Sequence, residues 1–415
     1  MKTVVSFVLL FIALLRGEEL EVRVPTRTEL RPVYVTQSGD KALREVLLFD
    51  LQHGGFASLV SPDKMWDLEL QSAFDPPTWR RRRVAFVISM EDNQIVAYDV
   101  LKGTSKTVPL GENRRKMHQV ADQLHLALFG VEGIASLHLL YSEKRAKEGG
   151  WVSEICSCDS DGAQRTQLTH TGHYCIAPGY LPNGEFYYVG SNQGQSKLYR
   201  ASMGKPRGVE WITLRGNQTL PAVSRKGKQV AFITDVAGRP DLFLWNLDSQ
   251  LSPLGQARQL FSAPRATQAS PTFSPDGKRI AFVSDKDGPP RIYVLEVANP
   301  KDKRRPKTHL ITKRNRENTS PAWSPDGRRI AYSARTDGIR QIWIYDFESD
   351  DEWQLTQGPE NKENPAWAPD SIHLVYNTES NESCELFLIN LRNPEPVQIS
   401  SGSGMKRFAN WEPLR

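Results

Sequence analysis

One heptapeptide pattern constrains this chain more than any other feature. Pro271-Thr272-Phe273-Ser274-Pro275-Asp276-Gly277 recurs fifty residues later as Pro321-Ala322-Trp323-Ser324-Pro325-Asp326-Gly327. Weaker copies begin at Pro178, Pro221 and Pro365, so the leading prolines are spaced 43, 50, 50 and 44 residues apart. Each copy is followed by an alternating apolar run such as Ile280-Ala281-Phe282-Val283, the period of a half-buried strand. A further strand then follows, as in Ile342-Trp343-Ile344-Tyr345, and a short closing strand ends the unit. A repeat of 40–50 residues with four strands describes one blade of a propeller.

Closing strands give the number of blades. Six are expected, at Thr166–Leu168, Trp211–Leu214, Ala257–Leu260, His309–Thr312, Trp353–Leu355 and Val397–Ile399. Only five starting strands precede them. Trp411 lies 44 residues after Trp367 and Pro413 lies 44 after Pro369, so Ala409 to Pro413 is expected to start the first blade. Joining the two ends of the array in this way removes two open sheet edges. The reading is a six-bladed β-propeller over residues 135–415, closed by the C-terminal strand.

The remainder has a different pattern. Met1 and Lys2 precede a 12-residue apolar run, Val4 to Leu15, which is short of the roughly 20 residues of a membrane span and reads as an export signal over 1–17. The compartment is therefore extracytoplasmic, and no direct membrane span is expected. Residues 28–133 read as a small α/β domain, with a helix near Ala42–Leu51, a hairpin around Glu91–Gln94, and a helix from Asn113 to Phe129 stopped by Gly130. Arg80 to Arg83 is its one concentrated basic run, expected as a solvated flank of a strand.

Function classes are narrowed mostly by what fails to match. The charge balance is 53 − 48 = +5 over 415 residues, too even for a nucleic-acid binder with a basic face. No nucleophile elbow, paired-histidine metal motif or phosphate-binding loop occurs. Cys156, Cys158, Cys175 and Cys384 lack the spacing of a metal knuckle and are expected to be structural, whether paired or free. The Ser-Pro-Asp-Gly segments are expected to be turns rather than calcium loops, and their flanking Trp and Phe residues to be inter-blade core. His118 and Asp122, four apart on the second helix, read as a capped or surface pair. No cofactor and no metal are expected.

An export signal, a small α/β domain and Pro-x-[Trp/Phe]-Ser-Pro-Asp-Gly blades resemble the TolB family, the periplasmic component of the Tol–Pal cell-envelope system. The helix Lys116-Met117-His118-Gln119-Val120-Ala121-Asp122 and its sequel Leu128-Phe129-Gly130-Val131-Glu132-Gly133 also match that family's pattern. The resemblance implies a non-enzymatic periplasmic adaptor supporting outer-membrane integrity and cell division. It implies that the lipoprotein Pal binds loops leading into the starting strands, here Asn217, Gln218, Thr219 and Leu220, then Gln268, Ala269 and Ser270, then Asn318, Thr319 and Ser320. It implies that TolA engages the mature N-terminus, residues 18–27, where Glu21-Val22-Arg23-Val24 matches before the chain continues differently into Pro25-Thr26-Arg27. The alternative is a periplasmic enzyme acting on polysaccharide, which would need channel-facing acids and histidines. His173, Glu317 and Glu363 are the candidates near strand starts.

Overall fold

A computed structural model describes residues 29–414, except 92, 193, 298–306 and 381–382. The export signal and the TolA-matching residues Glu21 to Val24 lie outside the described residues.

The N-terminal unit comprises β1 (Arg31–Val35), α1 (Lys41–His53), β2 (Ala57–Leu59), α2 (Lys64–Ser72), α3 (Pro76–Arg81), β3 (Phe86–Glu91), β4 (Gln94–Asp99), β5 (Thr104–Pro109) and α4 (Arg114–Phe129). Its sheet has the order β2-β1-β3-β4-β5, with β1 parallel to both neighbours and the β3-β4-β5 meander antiparallel. Strand alternation sends Val33, Val35, Phe86, Ile88 and Met90 to one face, where α1 and α4 cover them with Leu47, Leu51, Met117 and Leu124. Tyr34 and Val87 point to the other face and meet Leu70 and Trp79 from α2 and α3. The caps explain the helix limits: Asp40 accepts from Leu43 N and Asn113 from Lys116 N, and Gly130 ends α4 in a left-handed conformation.

Six four-stranded antiparallel sheets follow. Blade 1 contains β6 (His138–Lys147), β7 (Gly150–Asp159) and β8 (Thr166–Gln167), and blade 2 contains β9 (Cys175–Tyr180), β10 (Phe186–Asn192), β11 (Gln195–Ser202) and β12 (Lys205–Glu210). Blade 3 contains β13 (Gln218–Val223), β14 (Gln229–Thr234), β15 (Asp241–Leu247) and β16 (Pro253–Phe261). Blade 4 contains β17 (Gln268–Phe273), β18 (Arg279–Ser284), β19 (Arg291–Glu296) and β20 (Thr308–Leu310). Blade 5 contains β21 (Asn318–Trp323), β22 (Arg329–Thr336), β23 (Ile339–Asp346) and β24 (Asp351–Gln354). Blade 6 contains β25 (Asn361–Trp367), β26 (His373–Glu379), β27 (Leu386–Asn390) and β28 (Val397–Gln398), and β29 (Met405–Trp411) returns to pair with β6.

The closure is thus the expected one, with the C-terminal strand running four residues earlier than Ala409. The closing strand of blade 2 is displaced: it is Lys205–Glu210, not Trp211–Leu214. Trp211 instead turns inward, 7% exposed, and its indole N–H donates to Leu251 O at 2.6 Å. The prolyl turns are turns: Asp276 Oδ1 accepts from Ser274 Oγ at 2.6 Å and Lys278 N at 3.0 Å. Trp323 of β21 packs with Val283, Ile292 and Val294 of the preceding blade, which makes it inter-blade core. All four cysteines are free and buried.

The α/β unit sits on the end of the propeller where the Ser-Pro-Asp-Gly turns lie, over blades 1 and 6. Phe49 joins the apolar cluster of Leu139, Val375 and Trp411, and His53 O is 2.7 Å from His373 Nε2. Asp122 accepts from Ala135 N and Ser136 N at 2.8 and 3.0 Å, fixing the connection between the two units. A side chain at Gly133 would place its Cβ 2.2 Å from Asp122 Oδ1, so glycine is required for that approach. His118 and Asp122, expected as a capped or surface pair, are buried and half-buried and bond elsewhere, His118 to Asp50 and Asp122 to the backbone N–H groups of Ala135 and Ser136.

Candidate partner-binding channel mouth

Each innermost strand carries the same irregularity. In blades 2 to 6 and in β29, two consecutive residues oppose a single residue of the next strand, so the ladder skips Ala177-Pro178 region, Leu220-Pro221, Ser270-Pro271, Ser320-Pro321, Asn364-Pro365 and Phe408-Ala409. The residue opposite is aromatic every time: Tyr188, Phe232, Phe282, Tyr332, Tyr376 and Tyr141, each at most 2% exposed. The first bulged residues, Ala177, Leu220, Ser270, Ser320, Asn364 and Phe408, have φ between 45° and 55°. Few non-glycine residues adopt this left-handed region, and six equivalent ones mark a designed feature of the ring. A bulge of this kind ends regular pairing and re-aims the adjoining side chains.

The first bulged residues, Ala177, Leu220, Ser270, Ser320, Asn364 and Phe408, line one channel. On the side of the α/β unit it widens to a cavity of about 790 Å³, lined by the proline segments and rimmed by Arg115, His138 and Glu412. Arg225 reaches from blade 3 to blade 5 there, with Nη1 3.4 Å from Pro325 O. The opposite mouth is formed by the residues just before each bulge, and it is there that the sequence-derived residues lie.

Those residues divide by burial. Gln218, Gln268 and Asn318 are 0%, 1% and 0% exposed, so the structure turns these three side chains inward, away from the surface on which partner contact is expected. Gln218 Nε2 donates to Leu214 O and its Oε1 accepts from Leu198 N of the neighbouring blade. Asn318 Nδ2 donates to Asn315 O at 2.8 Å. Gln268, with its amide turned to satisfy both atoms, donates to Pro240 O and Asp241 Oδ1. Asn217 is half-buried and held by Asp235, whose carboxylate accepts from its N and Nδ2, each at 2.7 Å. Thr219, Ala269 and Thr319 are half-buried at the starts of their strands, and Leu220, Ser270 and Ser320 are half-buried and line the cavity.

Equivalent positions outside the partner-binding expectations complete the ring. Ile176 and Ala177, Glu363 and Asn364, and Arg407 and Phe408 stand at the same offsets from Pro178, Pro365 and Ala409. The spacing that locates the blades could have found them. The rim is also charged around blades 5 and 6, where Arg340 Nε lies 3.1 Å from Glu363 Oε1 and Arg335 Nε 2.7 Å from Glu317 Oε2, while Arg407 pairs with Glu379. Glu317 and Glu363 are therefore engaged by arginines, and His173 is exposed on the loop between blades 1 and 2. Burial raises the Glu379 carboxyl above its usual range while Arg407 opposes that rise.

Comparisons with known proteins agree with this geometry. The family profile described as the TolB beta propeller domain matches residues 126–415. The chain belongs to the TolB propeller family. A TolB homolog of Protochlamydia amoebophila is 40% identical over 285 residues, 60% of this chain and 61% of that protein. A TolB homolog of Chlamydia caviae is 33% identical over 270 residues, 62% of each chain. The chain thus aligns with less than two thirds of the length of these TolB relatives. The crystal structure of TolB from Acinetobacter baumannii superposes with a TM-score of 0.77 at 20% identity, covering 94% of this chain and 98% of that one, a likeness of fold that includes the α/β unit. Among the described residues of this TolB-family chain, no helix is long and apolar enough to cross a membrane.

Proposed function

We propose that this chain is a non-enzymatic periplasmic adaptor of the Tol–Pal system, binding the lipoprotein Pal at the propeller mouth farthest from the α/β unit. The observation that carries the reading is the ring of six bulged positions, which fixes half-buried side chains from six blades around one channel. A rigid, preorganised surface of this kind loses little conformational entropy on association. The small and polar character of Thr219, Ala269, Ser270, Thr319 and Ser320 suits hydrogen bonding to a protein partner over an interface of about 1,600 Å². In this reading Gln218, Gln268 and Asn318 hold the loops and do not touch Pal. The second partner is TolA, engaged through Glu21, Val22, Arg23 and Val24.

The reading places support of outer-membrane integrity and cell division on protein contacts alone, with no cofactor. The polysaccharide-enzyme alternative is disfavoured by the engagement of Glu317 and Glu363 with arginines. The test is capture of Pal from envelope extract by the full chain and by a Thr219→Glu/Ala269→Glu double variant whose folding is verified by circular dichroism. Capture by the parent and loss in the variant is the expected result, and undiminished capture by the folded variant removes the site assignment. A chain lacking residues 21–30 is expected to retain Pal and lose TolA.

A further inference from the structure

The junction between the α/β unit and blade 1 holds an arrangement that the partner-binding reading does not use. His118 on α4 is 1% exposed, and its Nδ1 lies 2.8 Å from Asp50 Oδ2 on α1. With the proton on Nδ1 donated to Asp50, Nε2 presents a lone pair. That atom has no hydrogen-bond partner and faces Asp159 Oδ2 at 3.8 Å and Asp161 Oδ2 at 3.7 Å, at the end of β7 and in the turn after it. Asp159 Oδ2 is likewise buried without a hydrogen-bond partner. Three acceptor atoms thus converge, all within 4.8 Å of one another, at separations too long for direct hydrogen bonds.

Charge and spacing both point to what completes this group. Asp50, Asp159 and Asp161 supply three carboxylates against one permanent cation, Arg114, whose Nε is 3.4 Å from Asp159 Oδ2 and whose guanidinium also pairs with Asp161. His138 Nε2, 3.6 Å from Asp159 Oδ1, is turned by Glu412, 2.8 Å from its Nδ1. A divalent ion balances the remaining two negative charges. Ligands held about 2.1 Å from a tetrahedral ion stand about 3.4 Å apart, close to the 3.8 and 3.7 Å from His118 Nε2 to the two aspartates. The Asp50–His118 contact supplies the carboxylate–histidine pairing that fixes tautomer and ring orientation at metal sites. A proton on Nε2 would bring half that charge and leave the separations unbridged.

We propose that His118 Nε2, Asp159 Oδ2 and Asp161 Oδ2 form a divalent transition-metal site, of a donor set suited to Zn²⁺, that clamps α4 onto the first blade. One imidazole and two carboxylates leave a fourth position for water. Arg114 competes for the same carboxylates, and its side chain, 32% exposed, has solvent to turn into when the ion enters. The clamp ties the α/β unit to the blade that the C-terminal strand closes, because His138 and Glu412 flank the same aspartates.

The test uses the full chain after chelation and dialysis, titrated with Zn²⁺ by calorimetry and with Co²⁺ followed by its visible absorption. One ion per chain, a tetrahedral Co²⁺ spectrum and a saturable rise in melting temperature are expected. His118→Gln and Asp161→Asn should each weaken binding by about 100-fold or more, and Asp50→Asn by about 10- to 100-fold. Asp161→Asn keeps the carbonyl oxygen that can accept from Ala163 N, so it preserves the turn if His118→Gln fails to fold. Absence of stoichiometric binding, or affinity unchanged in folded Asp161→Asn, overturns the proposal, since binding would then reside at other histidines. The Pal-capture result is independent of this one, as the two sites lie at opposite ends of the propeller.

Discussion

The Asn410 side-chain oxygen accepts a hydrogen bond from Tyr180 N at 3.2 Å, joining residues 230 positions apart in sequence. Asn410 belongs to β29 and Tyr180 to the innermost strand of blade 2, so the C-terminal strand both completes blade 1 and holds it against its neighbour. Thr272 does the same between blades 4 and 5, with Trp323 N 3.2 Å from its Oγ1. A chain ending at Gly404 would lose the β29–β6 ladder and expose the edge of β6. Its thermal transition is expected to broaden and fall well below that of the full chain, with association visible by light scattering. An unchanged, cooperative transition in a monomeric truncated chain would contradict the closure argument.

The bulges make a second prediction. Ser320 has φ 51° before Pro321 and opposite the buried ring of Tyr332. Left-handed backbone costs an ordinary side chain about 1 kcal/mol and costs a β-branched one more. Ser320→Val is therefore expected to lower stability by about 1–2 kcal/mol in urea titrations. Ser320→Gly should be neutral within about 1 kcal/mol, the relief of φ offsetting the greater freedom of the unfolded chain. Equal effects of the two substitutions would show that φ is not what constrains this position.

A third prediction concerns pH. His373 Nδ1 is 2.5 Å from Asp370 Oδ2 at the base of blade 6, and its Nε2 faces His53 O of the α/β unit. Burial works against the charged ring, yet the Asp370 carboxylate and the His53 carbonyl together raise the His373 pKa. Burial likewise works against the carboxylate, and His373 with the backbone N–H groups of Ile372 and His373 lowers the Asp370 pKa. The His53 ring is shifted the other way, down, by burial and by the charge on His373, with Glu395 opposing. A raised histidine stabilises fully below its unfolded value and loses this as pH rises through the folded one. A depressed aspartate stabilises fully above its unfolded value and loses this as pH falls. The pair therefore contributes most between about pH 4 and 6.5. The stability difference between the parent and His373→Gln is expected to reach about 3 kcal/mol in that window and to shrink above it. A difference that grows toward pH 8 would contradict the assignment.

The legible and illegible parts of the molecule separate by physical cause. Proline spacing, the six closing strands and the 44-residue offset from Trp367 to Trp411 are enough to count blades and to find their closure, because the blades repeat one turn chemistry and one strand pattern. The apolar spacing of Leu43, Val46, Leu47 and Leu51 likewise places α1, and the stop at Gly130 places the end of α4. The helices α2 and α3 leave no periodic signal in the sequence, since their buried contacts, through Trp66, Leu70 and Trp79, are too few to set a period. Gln218, Gln268 and Asn318 are expected at the partner surface because the family resemblance puts contacts on the loops leading into the starting strands. They are buried because backbone groups of adjoining loops and blades need partners, a requirement that composition does not reveal. His118 was misread for a related reason: its partners Asp50, Asp159 and Asp161 are brought together only when the two units meet.

The final prediction tests how closely blade 6 is drawn against blade 1. Gly162 lies in the turn after β7 with φ 85°, and a Cβ there would sit 1.5 Å from Ile399 O. Ile399 itself is 5% exposed and packs with Leu139, Cys158 and Trp411 across the junction. Gly184, in the turn after β9, has nearly the same φ, 84°, but a Cβ there meets nothing within 4 Å. Gly184→Ala therefore carries only the backbone term, about 1 kcal/mol. Gly162→Ala adds a clash with a backbone oxygen that no side-chain rotation can relieve, and is expected to cost at least about 3 kcal/mol. Urea denaturation of the two variants isolates the clash as their difference. Similar losses in both would mean that blades 1 and 6 are free to separate at this contact, and that the ring is held elsewhere.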